Sequence, residues 1–307
     1  MKDKKIYSKV RKIFLAFSII LLVVVTIQMF GTCIIRFLCG KYIDTKIKDV
    51  VQKELCNLTT ESEKIQVLSK WFKDNIDYVQ LNDIFFNLLR NSWCGVPPEI
   101  TFAMKKGRCG EWASLYLKLL KYTNMTGRIV NFVEDHEIVE VLINNTWVPV
   151  EPSGGISSYG YYKTSRNISK AYAIEENGRI KDVTVNYADT GFLIIKVRKE
   201  NMFIQNAKIC VLSKYLMIAN PQQYKEPKLA FCNFTDEFGI HVEELGKGIY
   251  KIEVLKFNSP FECQTVSVDN YTLLPNNINE VTLEVKEENP FSCFIKFIIE
   301  QLNKPIF

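Results

Sequence analysis

The chain is poor in histidine, with two, His136 and His241, in 307 residues. A His-rich metal centre, or several independent His-dependent sites, cannot be assembled from them. The chain also lacks any CxxC pair, the usual ligand spacing of a structural zinc site, so neither a metal nor a cofactor is expected. Charge of either sign is nearly balanced, at 39 Lys+Arg against 34 Asp+Glu. A formal +5 over this length is too weak for a nucleic-acid-binding face. Internal repeats and low-complexity tracts are absent too. What remains is a chain that is 47% hydrophobic and 24% charged, enough to bury a core and to exclude global disorder. Its length suits two modest domains.

The amino end is the exception to the even texture. Residues 1–12 carry six Lys/Arg and one Asp, and an uncharged run then extends from Ile13 to Ile35. At 1.5 Å per residue that run crosses a hydrocarbon core of about 30 Å with some tilt. It is longer than the apolar part of a cleaved signal peptide and has no A-x-A-like site after it. An uncleaved signal anchor over residues 13–38 is expected, contacting the bilayer through 13–35. Arg36–Val50 carries four Lys/Arg and two Asp, so the charge bias places the amino end inside and the body outside. Six N-x-[ST] sequons, at Asn57, Asn124, Asn144, Asn167, Asn233 and Asn270, lean the same way. In an oxidising compartment Cys56, Cys94, Cys210, Cys232, Cys263 and Cys293 form an even set that could pair, with Cys33 and Cys39 in or beside the span.

Residues 39–60 read as a stalk, within which the charged Lys41–Leu55 is a stalk or short helix. Ser62–Phe72 has helical spacing with Ser62 as N-cap, Asp83–Leu89 is a second short helix, and Glu99–Lys106 follows Pro97-Pro98 as one or two turns. After the turn Gly107–Gly110, Glu111–Tyr122 is apolar nearly all round and should be a central buried helix. Gly127–Val133, Glu137–Ile143 and Thr146–Val150 are strands, the last two joined by Asn144-Asn145 in a tight hairpin turn. Beyond residue 190 the pattern becomes short β runs separated by turns, a small sandwich to about 287. Phe291–Ile299, within 288–307, is a short helix or tail that cannot span a bilayer. The fold class is α+β, with residues 61–189 as the mixed core and 190–287 as an all-β sandwich module.

Cys109 stands just before the helix 111–122. The unpaired N–H groups and positive dipole end there favour an anion, and Arg108 acts in the same direction, so a thiolate is stabilised. A two-residue hairpin loop makes opposed residue numbers sum to 289, so Val139 meets Val150 and Val141 meets Val148 on an apolar face. His136 and Glu151 then lie diagonally on the other face, about 7–8 Å apart at the backbone. By the same alternation, Asp135 and Glu137 point to the apolar side or fray from the strand end. A thiolate nucleophile needs a base, and that base needs a carboxylate to hold its orientation. Cys109, His136 and Glu151 supply these roles. Trp93, Trp112 and the N–H groups of Cys109 and Gly110 are the candidate oxyanion or substrate contacts. His241 falls in the β module and reads as structural or solvated.

The strings IQVLSKWFKDNIDYV (65–79), GRCGEWASLYLKLLKY (107–122) and EDHEIVEVLINNTWVPVEP (134–152) resemble the transglutaminase-like (papain-like) cysteine hydrolase core. GRCGEWA is most similar to the cytosolic peptide:N-glycanases, and the similarity extends into Tyr161–Tyr187. It covers roughly 62–189. The resemblance implies Cys109 as nucleophile, His136 as general base and Glu151 as orienting acid. Two departures stand out: Glu151 replaces the usual Asp, and of the paired CxxC zinc ligands only Cys94 is present. Thr235–Val254 resembles the transthyretin-like and carboxypeptidase-regulatory β-sandwich modules, which are accessory.

The expected function is a membrane-anchored thiol enzyme acting on amide bonds of a protein, peptide or glycopeptide. Deglycosylation of the peptide:N-glycanase kind is the most specific version, and cysteine peptidase or crosslinking acyl transferase are close alternatives. A catalytically inactive scaffold of the same fold is the competing class.

Overall fold

The computed structural model describes residues 2–80, 82–91 and 95–302, with side chains only partly described between residues 2 and 29. The chain divides into two compact units, Met1–Ile129 with Glu137–Ser157, and Val130–His136 with Ser158–Phe307.

The first unit opens with helix α1, Lys2–Leu55, 54 residues without a break. No proline interrupts this stretch, so nothing in the backbone ends the helix where the apolar run ends. Among the described residues no helix is long and apolar enough to cross a membrane. The stretch expected as a stalk or short helix is the helical end of α1, and it is docked: Ile43, Ile47 and Val51, four residues apart, are buried in the core of the unit. Docking begins at Thr32, which is fully buried. Charge fixes it further, because Lys118 Nζ lies 2.5 Å from both Asp44 Oδ1 and Glu99 Oε1. Arg36 also pairs with Glu99 at 3.7 Å. Burial works against the Lys118 charge, but hydrogen bonds to Asp44 and Glu99 outweigh it and hold the ammonium above the usual lysine range.

Helix α2, Glu61–Asn75, is capped two residues earlier than expected, by Thr60 and not Ser62. The Glu63 N–H donates to Thr60 Oγ1 at 3.3 Å, and the Thr60 N–H donates to Glu63 Oε2 at 3.3 Å. This reciprocal pair satisfies two orphan donors at once. Helix α3, Ile84–Arg90, is capped by Asp83, which accepts from the Phe86 N–H at 2.9 Å. Helix α4, Pro98–Met104, uses proline at its first position. Helix α5, Cys109–Lys121, is the centre of the unit, burying Ala113, Leu115, Tyr116, Leu119 and Leu120. Strand β1, Gly127–Phe132, begins in this unit.

Strands β2, His136–Ile143, and β3, Thr146–Glu151, form the hairpin. Its register pairs Val139 with Val150, Val141 with Val148 and Ile143 with Thr146, as the sequence count required. Asn144 and Asn145 have φ of 48° and 62°, the left-handed geometry of a type I′ turn. Glu140, fully buried, is paired through its Oε2 with Arg128 Nη2 at 2.6 Å, and the Arg128 guanidinium lies 4.0 Å over the Trp147 ring.

In the second unit, helix α6, Tyr159–Ser165, precedes the antiparallel pair β4, Ala171–Ile174, and β5, Ile180–Asp182. The rest is a two-sheet sandwich. One sheet is built on β6, Thr190–Lys199, and the other contains β7, Lys208–Ser213, and β8, Lys228–Phe234. Strand β9, Ile240–Gly246, runs antiparallel to β6 in the first sheet. Strands β10, Gly248–Ser259, and β11, Glu262–Leu273, continue the second, while β12, Ile278–Glu284, returns parallel to β6. Leu193, Ile195 and Val197 of one sheet bury against Ile209, Val211, Ile252 and Val254 of the other. Helix α7, Pro290–Leu302, closes the described chain.

Disulfides join Cys210 to Cys232 across β7 and β8, and Cys263 to Cys293 between β11 and α7. The expected even set is corrected in two places. Cys56 is exposed and unbridged, whereas Cys33, expected to stand apart beside the span, is disulfide-bonded. Cys94 lies outside the described residues.

A buried cation organises the sandwich entrance. Lys170 is 1% exposed, with its Nζ 2.5 Å from Asp182 Oδ2 and 2.5 Å from Glu243 Oε1. Glu243 also meets His241 Nε2 at 3.2 Å, so His241 belongs to this cluster. Replacing Lys170 by Met strands two acidic groups. The expected cost is about 3 kcal/mol, read as a lower urea midpoint, with Lys170→Met/Asp182→Asn/Glu243→Gln recovering most of it.

Candidate functional site

Cys109 is the first residue of α5, half-buried and outside the disulfides. Glu111 holds the start of this helix. Its Oε2 accepts from the Arg108 N–H at 3.0 Å, and its Oε1 meets Arg90 Nε at 3.2 Å. An acidic residue in the first turn is favoured by the helix dipole, and it leaves the N–H groups of Cys109 and Gly110 to other partners. The Arg108 guanidinium is directed away along the 80–87 segment. Its Nη2 donates to the Gln80 carbonyl at 3.1 Å and to Asn87 Oδ1 at 2.7 Å, and it lies 5.8 Å from the Phe86 ring centroid. Arg108 therefore ties α3 to the head of α5, a positioning task that the sequence alone did not suggest.

Trp112 stands edge-on between Phe72 and Tyr78, each 5.3 Å away between ring centroids. Its indole nitrogen is buried with no hydrogen-bond partner among the described residues, so it retains a donor to offer. Trp93 lies outside the described residues. A methyl group on Gly110 would lie 3.0 Å from Glu137 Oε2, so the carboxylate sits close against the helix start and would have to shift to admit it. The Glu137 carboxylate, expected to face the apolar side or to fray, is instead brought to the amino end of α5. The positive end of the helix explains the attraction. In the sequence, its position directly after His136 was the signal.

Glu151 closes β3 and is half-buried. A tight turn follows it, with the Gly154 N–H donating to the Glu151 carbonyl at 2.9 Å and Gly155 at φ +82°. Cys109 and Glu151 belong to the first unit and His136 to the second.

His136 opens β2 and is half-buried, its imidazole stacked on Phe132 at 5.9 Å and 29°. Phe132 is in turn packed by Tyr162 at 5.5 Å and Tyr187 at 5.0 Å. Both tyrosines are fully buried, so the ring that supports the imidazole has little freedom to move. This aromatic seat was not anticipated. The tyrosines of the YGYY and VNY strings were its trace in the sequence. His136 also borders a cavity of about 360 Å³ within the second unit, whose wall includes Glu134 and Arg166. Burial pushes the Glu134 carboxyl up, against hydrogen bonds from Ser169. Among the described residues no group of His, Cys, Asp and Glu is arranged to hold a metal ion.

Two outcomes are expected. Glu137→Gln removes a negative charge beside the helix end that carries the thiol, which favours the thiolate form of Cys109 over the thiol. Its alkylation by iodoacetamide at pH 7 should rise several-fold, measured by mass. Glu134, with its folded-state value raised, stabilises the fold at low pH and loses that contribution as pH rises through the raised value. Glu134→Gln should therefore gain melting temperature relative to the parent at pH 7, with the gain vanishing near about pH 4.

No curated protein matches the chain. Among solved structures, the chain is similar to one described as a cysteine protease from Cytophaga hutchinsonii, at 17% identity and TM-score 0.30, covering 37% of this chain and 38% of that one. It is also similar to a TGase, at 12% identity and TM-score 0.30, covering 39% of this chain and 32% of that one. A third likeness, at 13% identity and TM-score 0.23, is to the Bacillus anthracis TIE protein, covering 53% of this chain and 31% of that one. The chain thus spans about a third of the length of each. The family model of the transglutaminase-like superfamily matches residues 48–152, which include Cys109, His136 and Glu151. Over that stretch the chain is similar to a transglutaminase-like core.

Proposed function

We propose that the chain is a membrane-anchored thiol enzyme that cleaves or transfers at amide bonds through Cys109, His136 and Glu151. The observation that carries this reading is a half-buried thiol on the first residue of α5, inside the transglutaminase-like segment. Cys109 Sγ attacks the amide carbonyl while His136 takes the thiol proton. The oxyanion is received by backbone N–H groups at the head of α5, with the Trp112 indole as a further donor. When the C–N bond breaks, the imidazolium gives its proton to the departing amine, leaving a thioester on Cys109. Water or a second amine then attacks the thioester and restores the thiol. Glu151 orients the imidazole, as the third member of such triads does.

Deglycosylation of glycopeptides is the finer version, supported by the GRCGEWA string. Membrane anchoring is supported by α1. Leu15, Phe17, Ile19, Leu22 and Val25 expose apolar side chains around the helix, before docking begins at Thr32. Residues 13–30 would supply about 27 Å of helix, close to a hydrocarbon core. The disulfides in the second unit support an oxidising compartment for the body.

The test is incubation of the full chain, in detergent, with matched glycopeptides and plain peptides, the products weighed by mass spectrometry. Conversion of Asn to Asp identifies glycan removal, and backbone scission identifies a peptidase. Cys109→Ala should lower the rate by at least about 10³-fold. Unchanged turnover in that variant would sink the reading. Deleting residues 2–30 should release the protein from the membrane fraction without loss of fold.

A further inference from the structure

We propose that the exposed face of α7 is an interface with a second copy of this chain, the two α7 helices packing along one apolar seam. The seam lies wholly in the second unit and contains no residue of the proposed triad.

One side of α7 is already spent on its own unit. Cys293 is fully buried and bonded to Cys263. Phe294 stacks on Phe261 at 4.9 Å and 6°, and Phe297 meets Phe257 edge-on at 5.7 Å. The Ser292 N–H donates to Asn289 Oδ1 at 2.9 Å, which caps the start of the helix. The other side carries Phe291, Ile295, Ile298, Ile299 and Leu302, all exposed. Phe291, Ile295, Ile298 and Leu302 are separated by four, three and four residues. That alternation sets side chains on the line along which two helices pair, the knobs of one entering the holes of the other. Ile299 widens the seam on one flank.

The charge pattern selects the occupant. The helix has two charged residues, Lys296 and Glu300, and neither stands on the seam. Lys296 pairs with Glu288, and Glu300 Oε1 is 2.6 Å from Lys208 Nζ. The positions flanking the seam are Ser292, Phe294, Ile299 and Gln301, all uncharged, so identical copies bring no like charges together. A lipid-binding helix instead sets Lys and Arg on its polar face, where they meet anionic headgroups. Here the single lysine of the helix is occupied by Glu288. Area agrees with a second copy as well. Five such side chains leave on the order of 500 Å² open. A symmetric pair then covers about 1,000 Å² in total, the lower limit of a specific interface. The pairing is therefore weak and concentration-dependent. It needs no ordering of the helix, because the disulfide and the ring contacts already hold α7 in place.

Sedimentation equilibrium of the full chain, in a detergent matched to the density of the solvent, reads the interface directly. The mass should rise from one chain at about 1 μM toward two at about 100 μM. Phe291→Glu/Leu302→Glu changes the two most exposed residues of the seam, at 75% and 77%, so the fold should hold. Whichever way the helices run, the glutamates face one another and should raise the dissociation constant at least about 30-fold. Phe291→Lys/Leu302→Lys should pair as poorly by itself, and mixing it with the glutamate variant should restore the two-chain mass. Circular dichroism checks that both variants keep the fold. A chain that stays monomeric at every concentration, a dimer unmoved by the glutamates, or folded variants that fail to recombine would each overturn the proposal. A monomer whose Phe291→Trp variant gains fluorescence quenched by brominated lipid in vesicles would overturn it too, and would assign the seam to a bilayer.

Discussion

A helix that begins at a cysteine proposed as a nucleophile faces a competition at its first turn. The N–H groups there must be satisfied, yet any side chain that satisfies all of them would occupy the place of the reacting group. Glu111 resolves this by working from the flank. It accepts from the Arg108 N–H and meets Arg90, so the helix start is fixed by a group two residues beyond the thiol. Arg108 in turn reaches Gln80 and Asn87, which ties the short helix α3 to the same point. Remove this brace and the position of Cys109 loses its reference to the rest of the first unit.

Both units spend buried charge in the same way. Lys118 is held by Asp44 and Glu99, Arg128 by Glu140, and Lys170 by Asp182 and Glu243. Such clusters gain little over well-packed apolar groups, but an incomplete one is strongly unfavourable. Their value lies in specifying geometry. Each sits where two elements meet that hydrophobic contact alone would leave free to slide: α1 on α4 and α5, β1 on β2, and β4 and β5 on β9. The site carboxylates follow different rules because their surroundings differ, with Glu137 drawn to a helix end and Glu134 driven by burial toward its neutral form.

Much of this was legible in the sequence. Alternation and the Asn144-Asn145 turn determine the hairpin register, because a single-residue slip would turn Val139 and Val141 out of the core. The helix after Cys109 was equally plain from its apolar content. Capping was less so, since Thr60 and Ser62 are both competent and the choice was made by Glu63, three residues after Thr60. Three features were hidden. The docking of residues 41–55 depends on a four-residue spacing of Ile43, Ile47 and Val51 inside a strongly charged stretch, which reads as solvated until its partners are known. The seat of His136 is built from Phe132, Tyr162 and Tyr187, distant in sequence and joined only by ring contacts. The brace through Arg108 looked like simple electrostatic help for the thiolate, because local sequence cannot tell where a long side chain is pulled.

The unbroken helix from Lys2 to Leu55 has a mechanical meaning. Most tethered enzymes hang from a flexible linker and search a hemisphere of solution above the bilayer. Here the segment that would enter the lipid and the segment buried in the core are one rod, with no slack between them. Under the proposed anchoring, an enzyme mounted in this way would work at a set height, like a tool on a fixed spindle. Its effective substrates would be those presented at that level above the surface, and lengthening the rod by a few turns would change what it can reach without altering any residue of the site.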